Sequence, residues 1–150
     1  MACDGSSTLG AMESGALILH VEDDPIDVEN VRRAFSRCCV PNPVRAVGNG
    51  AEALALLRGE GGEGRLRPGL ILLDLSMPVL GGLEFLWQIK AAPELRSIPV
   101  VVLSASCHDR DLRAAYEFGA AGYVVKPMDF EGFVRAIATV ERYWALCQIP

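Results

Sequence analysis

The 150-residue sequence lacks several features that would assign it to other protein classes. No apolar stretch approaches the ~20 residues of a membrane-spanning helix, and the N-terminus lacks the basic and apolar regions of a secretory signal. The net charge of −5 argues against a nucleic-acid-binding surface. The five cysteines are odd in number and form no CxxC pair, so we expect reduced thiols in a cytoplasmic protein.

Two segments are poor in apolar residues. Residues 1–15 are rich in Gly and Ser and predict a disordered N-terminal tail, which leaves residues 16–150 as one domain. Residues 59–69 contain five glycines and a proline, so we predict a mobile loop without packing of its own.

The rest of the sequence alternates between short apolar runs and helical patterns. Near-continuous apolar strands that alternate with helices indicate an α/β fold, in which a parallel sheet is covered on both faces. Right-handed crossovers then predict a doubly wound (βα)5 fold with a five-stranded parallel sheet of flavodoxin-like order 2-1-3-4-5. The apolar runs are residues 17–21, 44–47, 70–74, 100–103 and 121–125.

Polar side chains stand at the carboxyl ends of four of these predicted strands. In open α/β sheets this edge holds the ligand site, so we expect the side chains to converge there. In chain order they are the acidic triplet Glu22-Asp23-Asp24, then Asp74, Ser104 and Lys126.

The acidic residues of this set predict a metal site. Carboxylates packed together repel one another, and a hard divalent cation such as Mg²⁺ relieves the conflict. We predict Asp23 and Asp74 as direct ligands, Glu22 as a ligand directly or through water, and the backbone carbonyl of Ser76 as a further ligand. Asp24 is better explained as a helix cap.

Asp74 is the candidate nucleophile toward a phosphoryl group, which requires in-line positioning and cancellation of charge. Lys126 would supply a positive charge on a flexible stem, and the hydroxyl of Ser104 would donate a hydrogen bond to the phosphoryl oxygens. The isomer of the Lys126–Pro127 bond is left open, since most X-Pro bonds are trans.

Four motifs together resemble the receiver domain of two-component response regulators over about residues 16–146. The resemblance implies that Asp74 is the phosphoacceptor, that Glu22 and Asp23 are the acidic metal pair, and that Lys126 is the family's lysine. It also implies that Ser104 and Tyr123 form a switch that re-forms the surface of the fourth helix, fifth strand and fifth helix. The motifs are Val21-Glu22-Asp23-Asp24, Leu73-Asp74-Leu75-Ser76-Met77-Pro78, Leu103-Ser104-Ala105 and Tyr123-Val124-Val125-Lys126-Pro127.

Finer details are similar to the stand-alone response regulators of phytochrome-type sensor kinases. They are the Glu-Asp-Asp-Pro-x-Asp segment after the first strand, the long loop before the third strand, and Tyr143-Trp144 near the C-terminus. The resemblance implies a phosphorelay protein without an output domain. Its partner would be a sensor histidine kinase, with a bacteriophytochrome as one candidate, and neither nucleic acid nor a membrane is expected.

Two other functional classes fit the sequence less well. A phosphatase or mutase of the haloacid-dehalogenase type usually carries a second Asp two residues after the nucleophile, where this chain has Ser76. A flavodoxin-like nucleotide or flavin protein would need a phosphate-binding loop after the first strand, where three acids would repel phosphate. We therefore expect a phosphoaccepting signalling protein and not an enzyme.

The predicted last helix, Phe130 to Leu146, is longer than a globular helix of about 11–12 residues. Its end carries Tyr143, Trp144 and Leu146, which we expect the sheet to leave uncovered. Exposed aromatic residues favour an interface, so we predict a homodimer through this helix and the adjoining fourth-helix and fifth-strand surface. The alternative is that these residues fold back on the domain itself.

Overall fold

The computed structural model describes residues 16–62, 64–77 and 79–147, and the predicted N-terminal tail lies outside them. Five βα units follow one another in this part of the chain, which confirms the predicted alternation. The elements are β1 (Ile18–Val21), α1 (Pro25–Arg37), β2 (Val44–Val47), α2 (Gly50–Arg58), β3 (Leu70–Leu73), α3 (Gly82–Ala91), β4 (Val100–Ser104), α4 (Asp109–Glu117), β5 (Gly122–Val125) and α5 (Phe130–Leu146).

All five strands are parallel and lie in the order β2-β1-β3-β4-β5, so the predicted flavodoxin-like topology is confirmed. The register aligns the carboxyl ends of the central strands, because Val21 pairs with Leu73. The backbone N–H of Asp74 donates to the Val21 carbonyl at 3.0 Å. Glu22 and Asp74, which follow these paired residues, are therefore neighbours at one edge of the sheet.

The helices cover the sheet in two layers. Alternate strand residues such as Leu19 and Ile71 pack with α2, α3 and α4 on one face, while Ile18 and Leu72 pack with α1 and α5 on the other. The first helix begins at a capped turn, since the Asp24 carboxylate accepts a hydrogen bond from the Ile26 N–H at 2.9 Å. Among the described residues, no helix is long and apolar enough to cross a membrane.

The glycine-rich loop does pack on the domain, so the prediction of a loop without packing was wrong. Leu66 lies against the core beneath α2, and its N–H donates to the Leu56 carbonyl at 2.9 Å. The Gly69 N–H donates to the Leu17 carbonyl at 2.8 Å and so leads the chain into β3. The partly buried Leu66 and the buried Pro68 thus hold the end of this segment against the domain.

The end of α5 differs in part from its predicted exposure. Trp144 is only 5% exposed and packs in the core between α1 and α5, whereas Tyr143 and Leu146 are 62% and 85% exposed. Trp144 lies seven residues after the buried Ile137, which is two helical turns on the same face. The expectation of an uncovered end was therefore wrong for Trp144, which follows the stated alternative of packing on the domain itself.

Candidate functional site

The carboxylates of Glu22, Asp23 and Asp74 form one cluster at the carboxyl edge of the sheet. Their oxygens lie within 4.8 Å of one another. Glu22 and Asp74 are buried while Asp23 is exposed, so the cluster opens to solvent on one side. This arrangement brings together the acidic side chains that the sequence placed on separate strands.

Burial makes this cluster electrostatically unfavourable on its own. It raises the pKa of Glu22 to about 7, an effect that the Lys126 ammonium opposes and that the nearby Asp74 reinforces. Burial also raises the pKa of Asp74, again against the effect of Lys126 and of a hydrogen bond from the Ser76 backbone. A bound cation would favour the ionised form of both groups.

Lys126 extends from the end of β5 into the acidic cluster. Its Nζ lies 2.9 Å from Glu22 Oε2, 2.8 Å from Asp27 Oδ2 and 3.9 Å from Asp74 Oδ1. Burial alone would lower the pKa of this ammonium, but the hydrogen bonds to Asp27 and Glu22 raise it above its ordinary value. The Lys126 N–H donates to the Ser104 carbonyl at 2.8 Å, which fixes the start of the side chain.

Asp27 was not predicted as a site residue. It is the third residue of α1, where an acid is expected for a helix start alone. Its contact with Lys126 joins positions 99 residues apart, so a local sequence pattern does not reveal it. The described residues contain no cis peptide bond, so the open question about Lys126–Pro127 is answered as trans.

The two predicted switch residues meet at a third residue, Ser106. The buried Ser104 hydroxyl accepts a hydrogen bond from the Ser106 N–H at 3.1 Å, and the Tyr123 hydroxyl donates to the Ser106 carbonyl at 2.8 Å. The Ser106 hydroxyl in turn donates to Asp111 Oδ2 at 2.5 Å. Sequence reasoning missed Ser106 and Asp111, which link the ends of β4 and β5 to the first turn of α4.

Gly82 contributes no functional atom but shapes the site. A Cβ at this position would overlap the carbonyl oxygen of Asp74 and would lie 2.6 Å from the Leu75 Cα. The start of α3 therefore packs directly on the backbone of the candidate phosphoacceptor. Gly81, by contrast, has open space around its Cα. Ser76 lies in the loop between Asp74 and α3, and its carbonyl as a metal ligand stays a prediction.

The predicted interface residues lie away from the carboxylates, with one connection to them. A groove of about 250 Å³ runs between α4, β5 and α5, and it is lined in part by Tyr116, Tyr123 and Tyr143. Tyr123 thus contacts both the groove and the β4–α4 loop beside Ser104. Leu146 is exposed beyond the groove, at the end of α5.

Comparison with known proteins identifies the family. Residues 18–138 match the response regulator receiver domain, and the chain therefore belongs to that family. Response regulators of this kind are signalling proteins and not classical enzymes, and their partners are histidine kinases.

Two curated relatives are similar to this chain over most of their length. The probable methanogenesis regulatory protein FilR2 of Methanothrix harundinacea is 40% identical over 132 residues, which cover 88% of this chain and 85% of that protein. Response regulator Rcp1 of Synechocystis is 34% identical over 85% of this chain and 88% of its own length.

Solved structures point to the same group. The Mn²⁺-bound form of Rcp1 has a TM-score of 0.82 and 32% identity over 90% of this chain and 99% of its own. The phosphorylated cyanobacterial phytochrome response regulator RcpA has a TM-score of 0.81 and 36% identity over 87% and 94% of the two chains. The chain thus resembles stand-alone phytochrome response regulators.

Proposed function

We propose that this protein is a stand-alone response regulator that accepts a phosphoryl group from a histidine kinase onto Asp74. One observation supports this most strongly: three carboxylates lie within 4.8 Å of one another, and an ammonium lies 3.9 Å from Asp74. The stand-alone organisation is proposed by analogy with Rcp1, which the chain spans over 88% of its length.

The acidic cluster fits a hard divalent cation, and we propose Mg²⁺. Glu22, Asp23 and Asp74 would hold it with carboxylate oxygens, and the Ser76 carbonyl would add a backbone ligand. The raised pKa values of Glu22 and Asp74 support this proposal, because a cation beside them would favour the ionised forms of both carboxylates. The Mn²⁺-bound form of Rcp1 is consistent with a divalent cation in this group of proteins. When bound, the cation offsets negative charge on the phosphoryl oxygens.

In the proposed transfer, a carboxylate oxygen of Asp74 attacks the phosphorus of a phosphohistidine. The new P–O bond forms as the P–N bond breaks, and the imidazole leaves with the electron pair. Lys126 offsets charge on the phosphoryl group, and the Ser104 hydroxyl donates a hydrogen bond to it. The donors are already fixed before the reaction, because both side chains sit at strand ends and are held by hydrogen bonds.

The switch that follows would act through the β4–α4 loop. Ser104 and Tyr123 both hydrogen bond to Ser106, so a new partner for the Ser104 hydroxyl would disturb the contact that holds Tyr123. Tyr123 also lines the groove between α4, β5 and α5, so its movement would alter that surface. The interaction surface would thus respond to the state of Asp74.

The proposed partner is a sensor histidine kinase in the cytoplasm, with a bacteriophytochrome favoured by the likeness to phytochrome response regulators. Exposed apolar side chains flank the site and offer contacts to such a partner. Ile26 precedes Asp27 in α1 and is 69% exposed, and Met128 lies two residues after Lys126 and is fully exposed.

The phosphoacceptor is tested with acetyl phosphate and Mg²⁺ followed by intact-mass spectrometry. We expect one added phosphoryl group that is labile to hydroxylamine, no addition in Asp74→Asn, and normal addition in Asp109→Asn, which changes an exposed aspartate on α4. Asp23→Asn should weaken Mg²⁺ binding in a fluorescence titration. Equal labelling of Asp74→Asn and the wild type would refute the proposal.

We also propose a homodimer through the α4–β5–α5 face. Tyr143 and Leu146 are exposed at one end of this face, and Tyr116 adds a half-exposed aromatic ring on α4. Trp144 would contribute by supporting α5 from within, since it is buried. Truncation before Trp144 would remove a core residue, so single substitutions are the sharper test.

The dimer is tested by light scattering at high micromolar concentration, with and without acetyl phosphate. Tyr143→Lys and Leu146→Lys should raise the dimer dissociation constant by roughly tenfold, because each places a charge on an apolar surface that the dimer would bury. Trp87→Lys is the matched control, because Trp87 is an exposed aromatic residue on α3, which is not one of the three elements of this face. A wild type that stays monomeric under both conditions would exclude the dimer.

A further inference from the structure

The ammonium of Lys126 has two close partners, and only one of them belongs to the acidic cluster. Glu22 is a member of the cluster, whereas Asp27 lies on α1 and is not one of its three carboxylates. The two distances, 2.9 and 2.8 Å, are both short enough for charge-assisted hydrogen bonds. Asp74, at 3.9 Å, is the most distant of the three acids.

We propose that Asp27 is a positioning residue that holds the Lys126 ammonium beside Asp74. The inference rests on the proposed phosphoacceptor role of Asp74. An ammonium has three N–H donors, and Glu22 and Asp27 take up two of them. The third is then left for a group attached to Asp74.

The need for such a residue follows from the chemistry of lysine and of the cluster. A lysine side chain has a flexible four-carbon stem, and fixing it in one position costs rotamer entropy. A cation in the cluster would compete with Lys126 for Glu22, which would leave the ammonium with one fewer partner. Asp27 stands outside that competition, because its carboxylate, 2.8 Å from Nζ, is not part of the cluster that would hold the cation.

The fold supplies a rigid support for this contact. Asp27 lies in the first turn of α1, which the Asp24 side chain caps. The helix packs along α5 through Val31 and Phe35, and the Arg37 guanidinium forms two hydrogen bonds with the Glu131 carboxylate at 3.0 and 3.2 Å. The side chain of Asp27 is 28% exposed, so its removal leaves no cavity in the core.

The test uses beryllofluoride, an analogue of the phosphoryl group, at saturating Mg²⁺. Asp27→Ala should raise the beryllofluoride dissociation constant by roughly tenfold, the effect of one charge-assisted hydrogen bond. Its Mg²⁺ dissociation constant should stay within about threefold of the wild-type value, because Asp27 is outside the cluster. Glu29→Ala is the matched control, since it removes an exposed acid from the same helix and Glu29 has no ion pair among the described residues.

A double-mutant cycle separates positioning from a general structural role. If Asp27 acts through the ammonium, Asp27→Ala should have no further effect on beryllofluoride binding in a Lys126→Ala background. The Lys126 NH₃⁺ resonance in NMR spectra should also broaden or shift in Asp27→Ala and stay unchanged in Glu29→Ala. Asp27→Asn, which keeps an acceptor without the charge, should give an intermediate dissociation constant.

Three results would overturn the inference alone. They are equal beryllofluoride affinity in Asp27→Ala and Glu29→Ala, an undiminished effect in the Lys126→Ala background, and tighter binding in Asp27→Ala, which would make Asp27 a competitor for the ammonium. Failure of the wild type to bind beryllofluoride at Asp74 would instead refute the proposed function, and the inference with it. The two proposals are tested separately if the wild type binds beryllofluoride and Asp74→Asn does not, because the role of Asp74 is then established before the effect of Asp27→Ala is read.

Discussion

The inner strands β1 and β3 differ from the edge strand β5 in burial and in the groups that they carry. Every residue of β1 and β3 is buried, whereas none in β5 is, and β5 pairs with only one neighbour. The central strands end in the acids Glu22 and Asp74. The edge strand carries Tyr123 and leads into Lys126. The proposed acceptor Asp74 and the acids beside it thus stand on the most buried part of the sheet.

This difference assigns separate tasks to the two regions. Residues that must stay within a fraction of an ångström of their partners benefit from strands packed on both faces. Residues that must respond to a phosphoryl group benefit from a less buried element, where local rearrangement costs less free energy. Tyr123, half-buried and tied to a loop by one hydrogen bond, fits the second description.

The largest expected effect compares the two kinds of strand directly. Leu72→Ala on β3 should lower the free energy of unfolding by about 2–5 kcal/mol, because a fully buried leucine leaves a cavity. Val124→Ala on β5 should cost about 1 kcal/mol, since Val124 is only partly buried. Urea denaturation measures both. Equal losses would contradict the contrast between centre and edge.

A second prediction concerns the one histidine within the central strands. His20 is 1% exposed and its Nδ1 has no hydrogen-bond partner within the described part of the chain. Burial and then Lys126 lower its pKa to about 4. Below pH ~6.5 the histidine of the unfolded chain binds a proton, whereas His20 in the folded protein stays neutral down to about pH 4. The fold therefore loses stability progressively as the pH falls from ~6.5 to 4.

His20→Leu should remove this loss. Relative to the variant, the wild type should lose roughly 3 kcal/mol of unfolding free energy between pH 7 and pH 4. The raised pKa of Glu22 acts in the opposite direction over much of this range, but Glu22 is present in both proteins and cancels in the comparison. Urea denaturation at a series of pH values measures the unfolding free energy of both proteins. If the two curves of free energy against pH are parallel, the pKa of His20 is not lowered in the folded protein.

The smallest expected effect is the pH dependence of Mg²⁺ binding, which tests Glu22 as a ligand. A carboxylate must be ionised to bind a cation, so a Glu22 pKa of about 7 should make Mg²⁺ binding strengthen with rising pH. We expect about a tenfold gain in affinity from pH 6 to pH 8, measured by fluorescence titration. Glu22→Gln should bind Mg²⁺ more weakly and show little of this gain. A pH-independent wild type would argue against Glu22 as a ligand.

The predictable part of the molecule was the part in which local pattern and long-range packing agree. Apolar runs such as Leu70–Leu73 can be recognised without their neighbours, and the parallel alternation then brings their carboxyl ends to one edge. That step was enough to predict that Glu22, Asp23 and Asp74 meet.

Three of the wrong or missing predictions depend on tertiary contacts that no local sequence pattern shows. Trp144 was expected at an uncovered end, but its burial depends on how far α1 extends alongside α5. Leu66 was discounted because glycines surround it, although its contact lies on the core beneath α2. Asp27 was noted only as the last acid of the Glu-Asp-Asp-Pro-x-Asp segment and not as a site residue, because its partner Lys126 lies 99 residues further along the chain.

The close packing of Gly82 on Asp74 has a consequence for how such a site can be altered. The outward-facing positions of α3 can be exchanged without touching the acceptor, but its first residue cannot carry a side chain unless the helix moves. The exposed residues of α3 can therefore be redesigned, but the position of the helix against the Asp74 backbone must stay the same. A designed protein that copied every carboxylate and the lysine, yet placed alanine at this position, would reproduce the chemistry on paper and displace the acceptor backbone in practice.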